Sequence, residues 1–253
     1  VKMKDPDFVE QLRSYHASLQ VVVAFRMLPE VVWAMPEYGT FNVHAALLPK
    51  YRGAAPINWA VINGETETGV TTFFLDHDID TGRIIMQERM PIPDDADVEY
   101  VYDGLVKLGS DICLKTIDRL IECNGDIPSM PQEDAEGLPT APKIFKETCQ
   151  IGWGSPAKRI YDFVRGLSPY PGAWTTLSGE GMKPTVLKLF KTVKTGKSAV
   201  GHMPGEVRVD GGKLIIATAD EWLEVTELQL AGKKRMDAKS FLNGVKSSVL
   251  KVK

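Results

Sequence analysis

The stretch Thr40-Phe41-Asn42-Val43-His44 decides the fold, because it ends an apolar run with an amide and an imidazole two residues apart. Residues 70–75 form a second apolar run, and the acidic stretch Asp76-His77-Asp78-Ile79-Asp80 follows it. Side chains at positions i and i+2 of a strand share a face, so Asn42 and His44 point the same way. If the two runs are neighbouring parallel strands, Asn42, His44 and Asp80 emerge at the carboxyl edge of the sheet, where open α/β folds bind ligands.

Strands and helices alternate on both sides of this stretch. Residues 19–25 read Leu-Gln-Val-Val-Val-Ala-Phe, a mostly apolar run with three β-branched valines, which predicts a strand buried on both faces of a sheet. Residues 84–91 predict an edge strand, and residues 98–123 predict a long helix with Asp97 as its N-cap. The alternation predicts an α/β domain with a doubly wound parallel sheet. Such a sheet has strands ahead of residue 19, so we expect the chain to begin inside the domain.

The second half of the chain has a different pattern. Ser155 as N-cap, followed by Pro156 at the first helical position, predicts the start of a helix over residues 157–166. Five short runs of β-forming residues follow between glycine-containing turns, which predicts a small barrel. The proline-rich residues 126–154 predict a linker, or an irregular wrap across the first domain. The predicted division is therefore an α/β domain over residues 1–125, a linker over 126–154 and a barrel domain over 155–253.

Composition excludes several classes of protein. The 253 residues are 43% hydrophobic and 25% charged, as in globular proteins, and no apolar stretch approaches the roughly 18 residues of a membrane span. Three cysteines lack the spacing of a metal site or a disulfide framework, so we expect reduced thiols and a cytoplasmic protein. We expect it to act as a monomer.

Charge is divided unevenly between the two halves. Residues 1–150 contain 13 Lys and Arg against 24 Asp and Glu, a net charge of −11, whereas residues 151–253 contain 17 against 9, a net charge of +8. A basic second half predicts a polyanionic partner such as nucleic acid, although a solvated lysine-rich surface explains the asymmetry equally well.

Asn42, His44 and Asp80 together suit acyl transfer without a covalent intermediate. The set comprises a donor for a developing oxyanion, a proton shuttle and a carboxylate beside the shuttle. His44 alone is compatible with a hydrogen-bonded core histidine. The acidic stretch after residue 75 also resembles part of a calcium loop, but Thr81 replaces the expected glycine and Gln87 the expected glutamate, so we expect no metal.

Residues 41–57 read Phe-Asn-Val-His-Ala-Ala-Leu-Leu-Pro-Lys-Tyr-Arg-Gly-Ala-Ala-Pro-Ile, and Asp80-Thr81-Gly82 follows later. Together with the basic second half, these motifs resemble the folate-dependent formyltransferase family and, within it, the methionyl-tRNA formyltransferases. The resemblance spans essentially the whole chain. It implies a Rossmann-like domain joined to an OB-like barrel, and formyl transfer from 10-formyltetrahydrofolate to methionyl initiator tRNA without a metal. Formyltransferases that act on amino-sugar nucleotides and non-catalytic RNA-binding relatives remain alternatives.

The resemblance also implies roles for particular residues. The catalytic group would be Asn42, His44 and Asp80. The folate pocket would comprise Arg26, Met27, Leu28, Leu47, Pro49, Asp76 and Asp78. Transfer RNA would contact Lys50, Arg52, Lys143, Lys146, Lys233, Lys234 and Arg235. Ala46 stands where the family commonly has serine, and the family's opening strand and Gly-Thr-Pro loop have no counterpart, so we expect the chain to lack about the first quarter of the enzyme.

Overall fold

The computed structural model describes residues 2–23, 27–133, 136–244 and 250–253. The chain divides into two compact units. The first comprises Val1–Trp59, Thr66–Ile92 and Val101–Lys143, and the second comprises Ala60–Glu65, Pro93–Tyr100 and Ile144–Lys253.

The first unit is built on a four-stranded sheet. Its strands, in spatial order, are β1 (Gln20–Val23), β2 (Thr40–His44), β3 (Glu67–Phe74) and β4 (Ile84–Pro91). The helices met along this part of the chain are α1 (Pro6–Arg13), α2 (Glu30–Trp33), α3 (Pro56–Ile62) and α4 (Val98–Glu122). The result is a Rossmann-like α/β unit, as predicted.

The sheet is mixed, so the prediction of an entirely parallel sheet is wrong. Strands β2 and β3 are neighbours as expected, but they run antiparallel, as do β3 and β4, and only β1 and β2 are parallel. A parallel return needs a crossover that spans the length of the sheet. The connection over residues 45–66 contains one short helix, α3, whose seven residues span about 10 Å, whereas the helix of a typical βαβ crossover runs back along the whole strand, about 26 Å for the eight residues of β3.

Strand β1 lies at the edge of the sheet. Val21 and Val23 are 40% and 63% exposed, so the prediction that this strand is covered on both faces is wrong. An edge strand has a neighbour on one side only, and an apolar run by itself does not distinguish a central strand from an edge strand.

The two faces of β2 have different surroundings. Phe41 and Val43 pack with Leu120 and Ile117 of α4 in a buried cluster. Asn42 and His44 alternate with them and therefore occupy the opposite face. Helix α4 is capped as predicted, since the Asp97 Oδ1 accepts a hydrogen bond from the Tyr100 N–H at 3.0 Å.

The second unit contains helix α5 (Ala157–Gly166) and a nearly closed antiparallel barrel, which confirms the predicted barrel. After α5 the chain forms, in order, β5 (Ala173–Gly179), β6 (Met182–Ser198), β7 (Val207–Asp210), β8 (Lys213–Ala217), β9 (Glu221–Leu230), β10 (Met236–Asp237), helix α6 (Ala238–Gly244) and β11 (Leu250–Val252). The order is β11-β5-β6-β9-β8-β7, with β10 on β9. A bridge between Glu206 and Lys251 joins the two ends of this sheet.

Helix α5 is held by groups that are distant in sequence. The predicted cap Ser155 is not the one used: the Asp220 Oδ1 accepts from the Ala157 N–H at 2.8 Å. The buried Arg165 pairs with Asp162 at 2.8 Å, and its Nη1 donates to the Ala96 carbonyl at 2.9 Å. Through this bond the segment Pro93–Tyr100 is anchored within the second unit.

Within the described residues, no helix combines the length and the apolar character needed to cross a membrane. Cys113, Cys123 and Cys149 are free thiols, and Cys149 is buried.

Candidate functional site

His44 lies at the end of β2 and is 6% exposed. Its Nε2 is 2.9 Å from the Tyr51 carbonyl oxygen. A carbonyl only accepts, so Nε2 carries a hydrogen and the neutral ring leaves the lone pair on Nδ1. Tyr51 was not identified from the sequence, because its contribution is a backbone group and its side-chain type contains no signal for it.

Asp80 approaches His44 from the connection between β3 and β4. Its Oδ2 accepts from the Gly53 N–H at 2.9 Å and lies 3.9 Å from His44 Nδ1. That second distance is too long for a hydrogen bond, so Asp80 acts on the imidazole through its charge. The backbone of Asp80 has φ +57°, in the left-handed region. The two side chains meet, although β2 and β3 are antiparallel and do not share a carboxyl edge.

Burial lowers the pKa of His44 below its ordinary value of 6.5. The Asp80 charge and the hydrogen bond to the Tyr51 carbonyl both oppose this effect but do not cancel it. The imidazole is therefore neutral near pH 7. A neutral ring at this position can accept a proton at Nδ1.

Asn42 shares the face of His44 and has unused hydrogen-bonding capacity. Its Oδ1 is buried and has no hydrogen-bond partner within the described part of the chain. Buried polar atoms are normally paired, so this face fits a bound molecule with a hydrogen-bond donor. Phe73, opposite Asn42 on β3, packs edge-on to the His44 ring at 6.3 Å between centroids.

A buried polar network fixes the chain immediately after His44. Thr71, the cross-strand partner of His44, donates to the Ala46 carbonyl at 2.6 Å and accepts from the Leu48 N–H at 3.1 Å. Gln87 Nε2 donates both to the Leu48 carbonyl and to Thr71 Oγ1. These contacts depend on strand register and were not found from the sequence.

The residues assigned to the folate pocket have varied surroundings. Arg26 lies outside the described residues. Met27 is 64% exposed, whereas Leu28, Leu47 and Pro49 are half-buried. Asp76 and Asp78 are exposed, and Asp76 Oδ1 accepts from the His77 N–H at 2.6 Å.

The loop that holds Lys50 and Arg52 packs against a later part of the first unit. Lys50 is exposed, but the guanidinium of Arg52 donates to Gln132 Oε1 from Nε at 3.0 Å and from Nη2 at 2.8 Å. A Cβ at Gly53 would lie 2.5 Å from the Ala141 carbonyl oxygen. The glycine therefore permits close approach of the protein's own backbone.

The remaining cations assigned to tRNA are on exposed surface: Lys143, Lys146, Lys233, Lys234 and Arg235. Arg235 pairs with both carboxylate oxygens of Glu227, at 2.5 and 2.8 Å, and lies over the Phe190 ring. Its charge is therefore partly neutralised within the barrel.

Over the ranges that the structure describes, no group of three or more His, Cys, Asp or Glu side chains is arranged to hold a metal ion.

Comparison with known proteins identifies the family. A family model described as formyl transferase matches residues 1–117, and one described as formyl transferase, C-terminal domain, matches residues 143–246. A methionyl-tRNA formyltransferase from Parabacteroides distasonis is 56% identical over 251 residues, which cover 97% of this chain and 76% of that protein. The chain belongs to the methionyl-tRNA formyltransferase family. Another relative of that name, from Bacteroides fragilis, is 53% identical over 247 residues, covering 96% of this chain and 75% of the relative.

Solved structures share the fold at low sequence identity. HypX from Aquifex aeolicus, in complex with tetrahydrofolic acid, has a TM-score of 0.66 at 22% identity and covers 96% of this chain and 42% of its own. WlaRD, a sugar 3N-formyl transferase, has a TM-score of 0.62 at 20% identity and covers 87% of this chain and 76% of its own. At these identities the likeness between this methionyl-tRNA formyltransferase family member and the two solved structures is one of fold alone.

Proposed function

We propose that this protein transfers a formyl group from 10-formyltetrahydrofolate to the α-amino group of methionyl initiator tRNA. Eight relatives named methionyl-tRNA formyltransferase, at 44–56% identity, support this function. The observation that favours the chemistry most is the arrangement of a buried neutral His44, a carboxylate 3.9 Å from its Nδ1, and an unpaired Asn42 amide oxygen on the same face.

In the proposed reaction the α-amine nitrogen forms a bond to the formyl carbon, and the bond from that carbon to the folate nitrogen breaks. The Asn42 Nδ2 amino group donates to the formyl oxygen as negative charge develops on it, and the unpaired Oδ1 is available to accept from a substrate N–H. One such donor to the oxyanion contributes about 3 kcal/mol to a barrier. His44 Nδ1, directly or through a water, takes the proton that the amine releases and supplies one to the departing nitrogen. Asp80 stabilises the transient imidazolium through its charge.

The substrate contacts remain those expected from the sequence. The folate would bind beside Arg26, Met27, Leu28, Leu47, Pro49, Asp76 and Asp78. The tRNA would contact Lys50, Lys143, Lys146, Lys233 and Lys234, in keeping with the net charge of +8 in residues 151–253. Arg52 and Arg235 would contribute less, because Gln132 and Glu227 already engage their guanidinium groups. We place this reaction in the cytoplasm.

The test is a product assay with paired substrates. The protein is incubated with the formyl donor and either methionyl-tRNA or an amino-sugar nucleotide, and the N-formyl product is measured. We expect product from methionyl-tRNA, and a loss of turnover of about 10²- to 10⁴-fold in His44→Gln, which lacks a proton-accepting ring. His16→Gln, at an exposed histidine of the same unit, is the matched control and should retain turnover.

Each alternative has its own outcome. Product from the sugar nucleotide alone would identify a sugar formyltransferase. Binding of tRNA without product from either substrate would identify a non-catalytic RNA-binding protein. Turnover by His44→Gln equal to that of His16→Gln would refute the assigned role of His44.

A further inference from the structure

One side chain outside the proposed catalytic group connects the segments on both sides of it. Gln132 Nε2 donates to the Asp80 carbonyl at 2.9 Å and to the Gly82 carbonyl at 2.8 Å. Its Oε1 accepts two hydrogen bonds from Arg52. A primary amide has two N–H donors and an oxygen with two lone pairs, so Gln132 uses its full capacity.

Both segments held by Gln132 contain partners of the catalytic groups. Asp80 itself is in the first segment, with its backbone in the left-handed region. The second segment contains Tyr51, whose carbonyl holds His44, and Gly53, whose N–H holds the Asp80 carboxylate. Gln132 therefore connects the Asp80 turn to the loop that supplies hydrogen-bond partners to His44 and Asp80.

The backbone around Gln132 is itself anchored on the same unit. Met130 and Ile84 exchange two backbone hydrogen bonds, at 2.7 and 2.8 Å. On the far side, the Ala141 N–H donates to the Arg52 carbonyl at 2.9 Å, and the Ala54 N–H donates to the Ala141 carbonyl at 2.7 Å. With anchors on both sides, the amide of Gln132 has a defined place relative to the Asp80 turn.

Other hydrogen bonds to the backbone beside Asp80 come from Thr81 Oγ1 to the Asp78 carbonyl at 3.2 Å and from the Phe74 N–H to the Arg83 carbonyl at 3.0 Å, so neither reaches the carbonyl of Asp80 or of Gly82. A non-glycine residue with positive φ is strained and persists only when its surroundings hold it. Gln132 binds the carbonyl of this residue and that of Gly82. Removal of these two bonds would release the turn toward an ordinary conformation and move the carboxylate away from His44.

We propose that Gln132 is a positioning residue for formyl transfer, which keeps the Asp80 carboxylate at its working distance from the His44 imidazole. The proposal rests on the proposed roles of His44 and Asp80. Gln132 acts through Asp80 and through the loop containing Arg52, and its own chemistry takes no part in the reaction. Misplacement of a catalytic group by about 1 Å can cost 10²-fold in rate.

The informative substitution is Gln132→Glu. Glutamate has nearly the same shape and still accepts from Arg52, but it places an oxygen against the Asp80 and Gly82 carbonyls. We expect kcat to fall about 10- to 100-fold while KM for methionyl-tRNA stays within about 2-fold. Gln132→Ala should reduce kcat as much or more, and Gln11→Ala, at an exposed glutamine of α1, should behave as the parent.

A double substitution separates positioning from a general effect on folding. If Gln132 acts through Asp80, Gln132→Glu should reduce kcat by less than about 3-fold once Asp80 is already Asn, because the two changes remove the same contribution. A lower melting temperature of Gln132→Glu with unchanged kcat would overturn the proposal, and so would the full effect of Gln132→Glu in the Asp80→Asn protein. A parent protein without formyl transfer would instead overturn the proposed function, together with this inference.

Discussion

Because His44 is buried and neutral, we expect it to affect the pH dependence of the free energy of unfolding as well as catalysis. Because burial lowers the pKa of this imidazole in the folded protein, the unfolded chain binds a proton more readily than the folded one below pH 6.5. The contribution of His44 to the free energy of unfolding is therefore complete above about pH 6.5. It declines as the pH falls below that value and stops declining below the folded pKa.

The expected size follows from the unfolded pKa. An imidazole that binds no proton in the folded state sets the upper limit: protonation of the unfolded chain then lowers the free energy of unfolding by on the order of 1 kcal/mol at pH 5.5 relative to pH 7.5. Substitution of His44 by Gln keeps a donor for the Tyr51 carbonyl but removes the titrating group. The parent should thus lose more stability than His44→Gln between these two pH values, by up to on the order of 1 kcal/mol.

Urea denaturation of both proteins at pH 7.5 and 5.5 measures this difference. The contributions of His16, His77 and His202 are common to the two proteins and cancel in the comparison. Any constant destabilisation by the glutamine also cancels. Equal losses in parent and variant would refute the reasoning, since they would mean that His44 titrates alike in the folded and unfolded states.

Three further predictions concern the site and the barrel. Asp80→Asn keeps an oxygen that accepts from the Gly53 N–H but removes the negative charge. We expect kcat to fall about 100-fold, while the free energy of unfolding changes by less than about 1 kcal/mol. A kcat close to that of the parent would contradict this role of the charge. Gly53→Ala should lower the free energy of unfolding, measured by urea denaturation, by about 2–4 kcal/mol, because the new Cβ would clash with the Ala141 carbonyl. Gly181→Ala should lower it by less, because Gly181 also has a positive φ but open space around its Cβ position. Replacing Lys233 and Lys234 with Gln should weaken tRNA binding and reduce the slope of log K against log salt by about 1 for each phosphate that the variant no longer neutralises; an unchanged slope would argue against an interaction there.

Local patterns in the sequence were sufficient for much of this fold. Asp97 caps α4 and β4 covers residues 84–91 as predicted, because capping residues and turn residues act within a few positions of the elements that they bound. Alternation along β2 likewise placed Asn42 and His44 on one face. The barrel followed from short β-forming runs between turns.

Features that depend on distant contacts could not be predicted in this way. The orientation of β3 relative to β2 depends on the path of the intervening chain, which strand patterns do not encode. The cap of α5 comes from Asp220, which lies 63 residues after Ala157, the residue whose N–H it binds. The hydrogen bond between Gln132 and Asp80 joins residues 52 positions apart. The sequence therefore predicted that the side chains of His44 and Asp80 lie close together, but not the backbone and amide groups that hold them.

The contact between Arg165 and the Ala96 carbonyl has a consequence for anyone who divides this protein at the end of the sequence-defined linker. A fragment beginning at residue 155 would retain the Asp162 and Arg165 pair but would lack the carbonyl that the guanidinium binds. It would also expose the surface on which residues 60–65 and 93–100 lie in the intact chain. Such a fragment should be less stable than the barrel in the intact chain, because the compact unit also includes two short segments that precede residue 155.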